Sequence, residues 1–237
     1  MKHQKTNLLY SGKAKDIYST NDEKVLIQHF KDNMTAGNGA RNEIITNKGI
    51  VNAAISEYFM TLLKKYNINN HFIGHINSNE QAILKVRIIP LEVIVRNVAA
   101  GSFCKRFGVK NGTVFTKPCV EFSYKDDNLG DPAISEGQIV AMEIANEPEI
   151  EYIKQQALLI NEILIKEFQK INLNLIDFKI EFGLVDKNNI ILADEISPDS
   201  CRLWDANGKS FDKDVFRNNQ GNVMDGYNYI LNKLIKD

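Results

Sequence analysis

DFKIEFGLVDKNNIILADEISPDSCRLWD, Asp177 to Asp205, opens with strict alternation: Asp177, Lys179 and Glu181 on one side, Phe178, Ile180 and Phe182 on the other. That is the period of a half-buried strand. The polar run Asp186-Lys187-Asn188-Asn189 follows, and Ile190 to Ile196 reads as a second strand. Two strands joined by a short polar loop make a β-hairpin. Pairing Val185 with Ile190 across the loop sets Glu181 opposite Asp194. Directly opposed side chains lie about 4.5–5.5 Å apart at Cβ, and like charges there destabilise a sheet. Two facing carboxylates call for a cation, and Mg²⁺ takes carboxylate oxygens together with substrate phosphates. A register slipped by one residue would separate the acids into solvent instead, and the hairpin alone does not choose.

The rest of the chain narrows the class. Its 237 residues suffice for one large domain or two small lobes. Hydrophobic residues are 43% and charged residues 25%, ordinary for a globular protein, and the net charge of −1 argues against nonspecific binding to nucleic acid or anionic membrane. Neither an apolar run of about 18 residues nor an N-terminal signal core is present, so no membrane span is expected. Cys104, Cys119 and Cys201 are odd in number and widely spaced, which fits no disulfide framework or zinc pattern and suggests a reducing, cytoplasmic setting. With His3, His29, His71 and His75 all in the first third, no Ser-His-Asp or Cys-His constellation is apparent.

In chain order, Leu8–Tyr10, Asp16–Tyr18 and Val25–Phe30 read as a small antiparallel sheet. The turn Ser11-Gly12-Lys13-Ala14-Lys15 between the first two has one glycine and two ammonium groups. It suits a polyphosphate, though a Gly-Lys turn is commonly just solvated and the spacing is not that of a Walker A loop. Lys31 to Gly39 reads as loop. A helix over about residues 47–66 shows two apolar stripes, Ile50-Ala54-Tyr58-Leu62 and Ile55-Phe59-Leu63. Strands follow at Ala82–Ile89 and Leu91–Val98, split by Pro90, and the split is where a two-lobed enzyme would change lobes. Arg96, at a strand end, precedes Ala99-Ala100-Gly101-Ser102, which opens a short helix carrying Lys105 and Arg106. This is either a phosphate pocket or a solvated basic helix. Val120–Tyr124 is a further strand, and the loop from Lys125 to Pro132 is charged. Ser135 with Gln138 forms a capping box. A long helix runs from about Pro148 to Ile171, a turn falls at Asn207-Gly208, Phe211 to Arg217 is irregular, and a last amphipathic helix covers about Asp225 to Lys236. Mixed but not alternating elements give an α+β fold with largely antiparallel sheets and packed helices.

Five segments together resemble the phosphoribosylaminoimidazole-succinocarboxamide synthase (SAICAR synthetase) family: Tyr10 to Asp16, Arg96-Asn97 with Ala99 to Ser102, Gly130 to Pro132, Asp177 to Gly183, and Asp194 to Arg202. They occur in the family's order and span nearly the whole chain. The resemblance implies a two-lobed fold related to ATP-grasp enzymes, with an ATP-binding lobe over residues 1–89 and a substrate and metal lobe over 90–237, together one catalytic unit. It implies an ATP-dependent ligase of purine biosynthesis that joins L-aspartate to the carboxylate of carboxyaminoimidazole ribonucleotide (CAIR), with Mg²⁺ as cofactor and, on resemblance alone, a homodimer. By the same token Gly12, Lys13, Ala14, Lys15 and Lys85 would bind ATP, and Glu181 and Asp194 would hold the nucleotide's metal. Lys179 would bridge phosphates and the CAIR carboxylate. Arg96, Ser102 and Arg202 would take the CAIR phosphate and carboxylate side, and Asp177 and Asp199 its ribose hydroxyls or amine. Lys125, Asp127 and Asp131 would close over substrate, with Lys213 and Arg217 contributing late. The sequence departs from the family at Gly37, where bacterial members usually carry an aromatic. A small-molecule kinase on the same scaffold, which would need a base beside a hydroxyl acceptor, is the competing enzyme. A non-catalytic nucleotide-binding module should have lost an acid or a lysine, and none is lost.

Overall fold

In the computed structural model, which describes residues 3–37, 39–187 and 189–236, strands β1 (Lys5–Ser11), β2 (Lys15–Thr20) and β3 (Val25–Phe30) form an antiparallel meander. Asn38 and Asn188, both expected in loops, lie outside the described residues. The stretch expected as loop after β3 is instead largely a second hairpin, β4 (Asn33–Ala36) with β5 (Arg41–Ile44). Composition hid it because its order comes from distant partners: Met34 is fully buried, and Arg41 stacks on the Phe216 ring at 3.8 Å. Gly37 sits in the turn of this hairpin at φ 59°.

Helix α1 (Lys48–Lys65) starts without a side-chain cap of its own. Asp32 supplies one from the preceding hairpin, accepting from the N–H groups of Asn47 (3.2 Å) and Gly49 (2.9 Å). Gly49 lies so close to β3 that a Cβ would stand 2.4 Å from the Phe30 carbonyl oxygen. Of the expected apolar face, Ile55, Phe59 and Leu63 are buried, Tyr58 and Leu62 pack half-buried against the same core, and Ile50 is exposed. The other buried stripe is polar, Lys48-Asn52-Ser56.

Strands β6 (Phe72–Asn77) and β7 (Glu80–Leu84) complete the first sheet, in the order β1-β2-β3-β7-β6. The chain then crosses into a second sheet with β8 (Arg87–Val98). The break therefore falls at Lys85-Val86, and Pro90 lies inside β8 rather than between two strands. Pro90 is tolerated because the β8–β11 register shifts between the pairs at Gly183 and Glu181, so no ladder hydrogen bond is asked of its missing N–H. After α2 (Ser102–Phe107) come β9 (Val114–Tyr124), β10 (Ala133–Ile134), α3 (Glu136–Ala141) and α4 (Glu147–Lys170). The Ser135–Gln138 capping box is present. A second box, Asn146 with Glu149, starts α4 just before Pro148.

The second sheet is completed by β11 (Asn174–Leu184), β12 (Ile190–Ala193) and β13 (Cys201–Trp204), in the order β10-β9-β8-β11-β12 with β13 also on β11. Helices α5 (Asp214–Arg217) and α6 (Val223–Lys236) end the chain. Every strand pair in the two sheets is antiparallel. The face of α4 made by Ile150, Ile153, Ala157, Ile160, Leu164 and Phe168 is buried, and one apolar cluster runs from Phe59 and Phe72 through Phe168 and Ile180 to Tyr227. β11 is buried on both faces, so its alternation does not mark a solvent side. Its polar side chains meet other charges.

Candidate active site

The hairpin pairs Leu184 with Ile190, Gly183 with Ile191 and Phe182 with Leu192, so Glu181 faces Ala193, not Asp194. The expected register is off by one because the loop closes between the Val185 N–H and the Asn189 carbonyl (3.0 Å). Strand parity would now send Asp194 to the opposite face. It does not apply, because β12 ends at Ala193 and Asp194 takes φ 64°, the left-handed region that Asp tolerates better than most residues. His71 Nε2 holds the Asp194 carbonyl at 2.8 Å. Glu195 follows directly and is buried beside Asp194.

The outcome is a cluster of acids and ammonium groups. Lys15 pairs with Asp194 and, at 2.7 Å, with Glu195. Lys125 pairs with Glu181; Lys179 pairs with Glu92 and lies 3.7 Å from Glu181. Burial opposes ionisation of Asp194, but Lys15, Lys179 and Lys125 outweigh it and hold its carboxyl well below the usual range. Burial, then the charge of Asp194, pushes Glu181 up. Lys15 and Lys179 resist the desolvation that would lower them, because Asp194 and Glu195 surround the first and Glu181, Glu92 and Asp194 the second. Two carboxylates in one field form a hard-oxygen donor set. Among the described residues no group of three or more His, Cys, Asp or Glu side chains is arranged to hold a metal by itself. That composition fits Mg²⁺, which is commonly held by one or two carboxylates with the rest of its shell from phosphate and water.

The glycine turn abuts this cluster through Lys15. The Gly12 N–H donates to the Lys15 carbonyl (2.7 Å), and a Cβ on Gly12 would meet the Tyr10 ring at 2.9 Å. Lys31 braces the turn, its N–H on the Ala14 carbonyl and its Nζ on the Gly12 carbonyl. Lys13 reaches from the first sheet to Asp127 of the 125–132 loop, at 2.7 Å. Lys85 is exposed where the chain crosses between sheets, and its side chain makes no ion pair among the described residues.

A cleft of ≈160 Å³ adjoins the cluster, and Arg96, Ser102, Asp177, Lys179, Asp199 and Arg202 all line it. Arg96 and Arg202 both donate to Asp177 Oδ2, the former at 2.9 Å. Arg96 also reaches Ser102 Oγ at 3.3 Å, and Arg202 donates to Asp214 at 2.6 Å. Gly101, at φ 55°, leaves room for Arg202: a Cβ there would stand 2.7 Å from Nη2. Arg106 pairs with Glu121, which also binds Arg96. Lys213 is anchored by its N–H to the Pro198 carbonyl, and Arg217 lines the cleft while bound to Asp214. A larger cavity of ≈470 Å³ lies between α1 and the β6–β7 hairpin, but among the described residues its one ion pair is His75 with Glu57, so size does not locate the chemistry.

Sequence reasoning missed the partners of these groups: Glu92, Glu121, Asp214, and the trio Lys48, Asn52 and Tyr227 around Asp199. A signal existed for two of the trio. Lys48, Asn52 and Ser56 recur at i, i+4 spacing, which reads as a solvent face until the helix is found buried on that side too.

A family model described as SAICAR synthetase matches residues 8–234. Phosphoribosylaminoimidazole-succinocarboxamide synthase of Streptococcus pyogenes is 53% identical over 228 residues, 96% of this chain and 97% of that one. The enzyme of the same name from Finegoldia magna is 48% identical over 227 residues, 95% and 98% of the two chains. Among solved structures, the Ehrlichia chaffeensis synthase aligns with a TM-score of 0.94 at 46% identity, over 96% of this chain and 98% of its own. A SAICAR synthetase (Type-2) in complex with ADP gives 0.92 at 43% identity, over 96% and 97%. With the match running through nearly every element described above, the chain belongs to the SAICAR synthetase family.

Proposed function

We infer that the chain is the ATP-dependent ligase that joins L-aspartate to the carboxylate of CAIR, giving SAICAR, ADP and phosphate in purine biosynthesis. The observation that carries this to particular residues is the position of Lys179. It lies 3.7 Å from Glu181 in the acidic cluster and also lines the cleft of Arg96 and Arg202. One ammonium group thus belongs to both halves of a phosphoryl transfer.

A carboxylate is a poor electrophile because oxide would have to leave. Transfer of the ATP γ-phosphoryl group to a CAIR carboxylate oxygen breaks the γ-phosphate's bond to ADP and forms an acyl phosphate. The aspartate amine then attacks the acyl carbon, loses a proton, and phosphate departs with the oxygen. Positioning and charge neutralisation account for most of such catalysis. Gly12, Lys13, Ala14, Lys15 and Lys85 are assigned to ATP, with Lys15 the innermost. Glu181 and Asp194 would hold Mg²⁺, whose chemistry there is to neutralise charge on the phosphates. Lys179 bridges the transferring phosphoryl group and the acceptor carboxylate. Arg96, Ser102 and Arg202 hold the CAIR phosphate and carboxylate side, and Asp177 and Asp199 accept from its hydroxyls or amine. The 125–132 loop, tied to the glycine turn by Lys13 and Asp127, excludes water from an intermediate that hydrolyses. On this reading the lobes expected over residues 1–89 and 90–237 form a single catalytic unit, with their boundary moved to Lys85-Val86 where the chain changes sheet, working in the cytoplasm as a homodimer.

ATP turnover by the purified chain, with and without CAIR and L-aspartate, is the direct test. ADP should form only when both are present. Release of ADP with CAIR but independent of aspartate would mean a kinase that stops at phosphoryl transfer.

A further inference from the structure

Asp199 lines the substrate cleft, yet most of its carboxylate is already engaged from behind. Lys48 Nζ (2.7 Å) and Asn52 Nδ2 (3.0 Å), both from α1, donate to Oδ2, and the Tyr227 hydroxyl, from α6, donates to Oδ1 at 2.6 Å. Lys48 is 1% exposed and Tyr227 fully buried. An ionised carboxylate offers about four acceptor positions. Three are taken, and the one left is on Oδ1, on a residue that forms part of the cleft wall.

We propose that Lys48 and Tyr227 are positioning residues for the second-substrate cleft: from the N-terminal parts of two helices they hold Asp199 charged and turned so that its last acceptor position meets an N–H or O–H donor of the ribonucleotide. Stability alone does not account for the arrangement. A buried ion pair commonly does no better than apolar side chains of the same volume, and a phenylalanine would fill the place of Tyr227. What the trio produces is a fixed carboxylate, held apart from the arginines that occupy Asp177, at a wall whose other charged groups are Arg96, Asp177, Lys179, Arg202 and Arg217. The loop carrying it is tied to the same helix again, since the Ile196 N–H donates to Ser56 Oγ at 3.4 Å. α1 also packs on the first sheet through Gly49, so the turn-bearing sheet and the cleft wall share one rigid element.

Burial by itself would raise the Asp199 carboxyl; Lys48, Lys213 and the Tyr227 hydroxyl outweigh it and keep the group below the usual range. Asp212 and Arg217 lie close enough to act on the Tyr227 hydroxyl in turn.

The inference rests on the ligase reading, and wild-type turnover on CAIR, aspartate and ATP tests that reading separately. Tyr227→Phe keeps the ring and removes one donor. It should raise the KM for CAIR about tenfold, the scale of one hydrogen bond to a charged group, with the KM for ATP within about twofold. It should also move the acid limb of kcat/KM for CAIR to higher pH. In an Asp199→Asn background the same change should add nothing further to the KM for CAIR. A Tyr227→Phe enzyme that melts earlier but keeps the wild-type KM for CAIR and acid limb would overturn the proposal, as would an effect that persists undiminished beside Asp199→Asn.

Discussion

Asp194 carries two duties that conflict in ordinary strands. Its carboxylate must meet Lys15 while its carbonyl meets His71, and a left-handed backbone at φ 64° lets one residue do both. Asn tolerates that conformation as well as Asp does, so Asp194→Asn should leave the fold intact while lowering turnover by at least about 10²-fold, as loss of a group that stabilises transferring charge does. Circular dichroism and ADP release measured on the same preparation check both halves, and a near-normal rate would remove Asp194 from the machinery. Arg202 differs in kind. It spans Asp177 and Asp214 in the cleft, so Arg202→Ala should raise the KM for CAIR about tenfold or more and the KM for ATP little; equal rises would mean the residue serves the nucleotide instead. The chemistry-bearing types at this scale were legible because alternation set Asp177, Lys179 and Glu181 on one face. Their geometry was not. The one-residue register error came from assuming a four-residue loop, and Asp194 meets Lys15 only because strand parity ends at Ala193.

Elements with strong local signals were readable in the chain: the periodic α4, the Ser135 capping box, and β3 to the residue. Those whose order is imposed from afar were not. The β4–β5 hairpin is pinned by Arg41 on Phe216, about 175 residues away in sequence, and no local pattern announces it. Pro90 argued for a strand break, yet the break belongs five residues earlier, where the chain crosses between sheets. That crossing depends on a close approach. A Cβ on Gly183 of β11 would stand 2.6 Å from Val86 Cγ2 and 3.3 Å from the Arg87 carbonyl oxygen. Gly183→Ala should therefore lower unfolding free energy by about 1–3 kcal/mol, the usual cost of overpacking, and Val86→Ala in the same chain should recover only part of it, because the Val86 Cβ it keeps would still stand 2.9 Å from the new methyl group. Urea titration of the two variants decides it, and a double variant no more stable than the single one would locate the strain at the Val86 Cβ and the Arg87 carbonyl instead.

At the scale of the whole molecule, the two sheets are joined not only by the Lys13 and Lys15 ion pairs but also by backbone and histidine contacts that the sequence did not announce. Asn70 bridges Leu192 in parallel, the His71 N–H donates to the Leu192 carbonyl at 2.9 Å, and His71 Nε2 meets the Asp194 carbonyl. His71 appeared in the sequence only as one of four scattered histidines. It is 3% exposed, and burial lowers it to about 4, against partial opposition from Asp194. The neutral ring is thus the form that joins the sheets, donating from Nε2. The unfolded chain takes up a proton below about pH 6.5, while the folded chain refuses it until about pH 4. Between those values the unfolded state binds more protons, so stability falls as pH falls. From pH 7.5 to pH 5.0 the loss should be about 2 kcal/mol, and a cation held by Asp194 would push the same way. His71→Gln, which keeps a donor and has no titration, should lose less over the same interval despite a lower starting stability. Thermal unfolding of both proteins across that range checks it: parallel curves would mean that acid acts elsewhere, on the carboxylates of the cleft, and that His71 joins the sheets without setting their pH dependence.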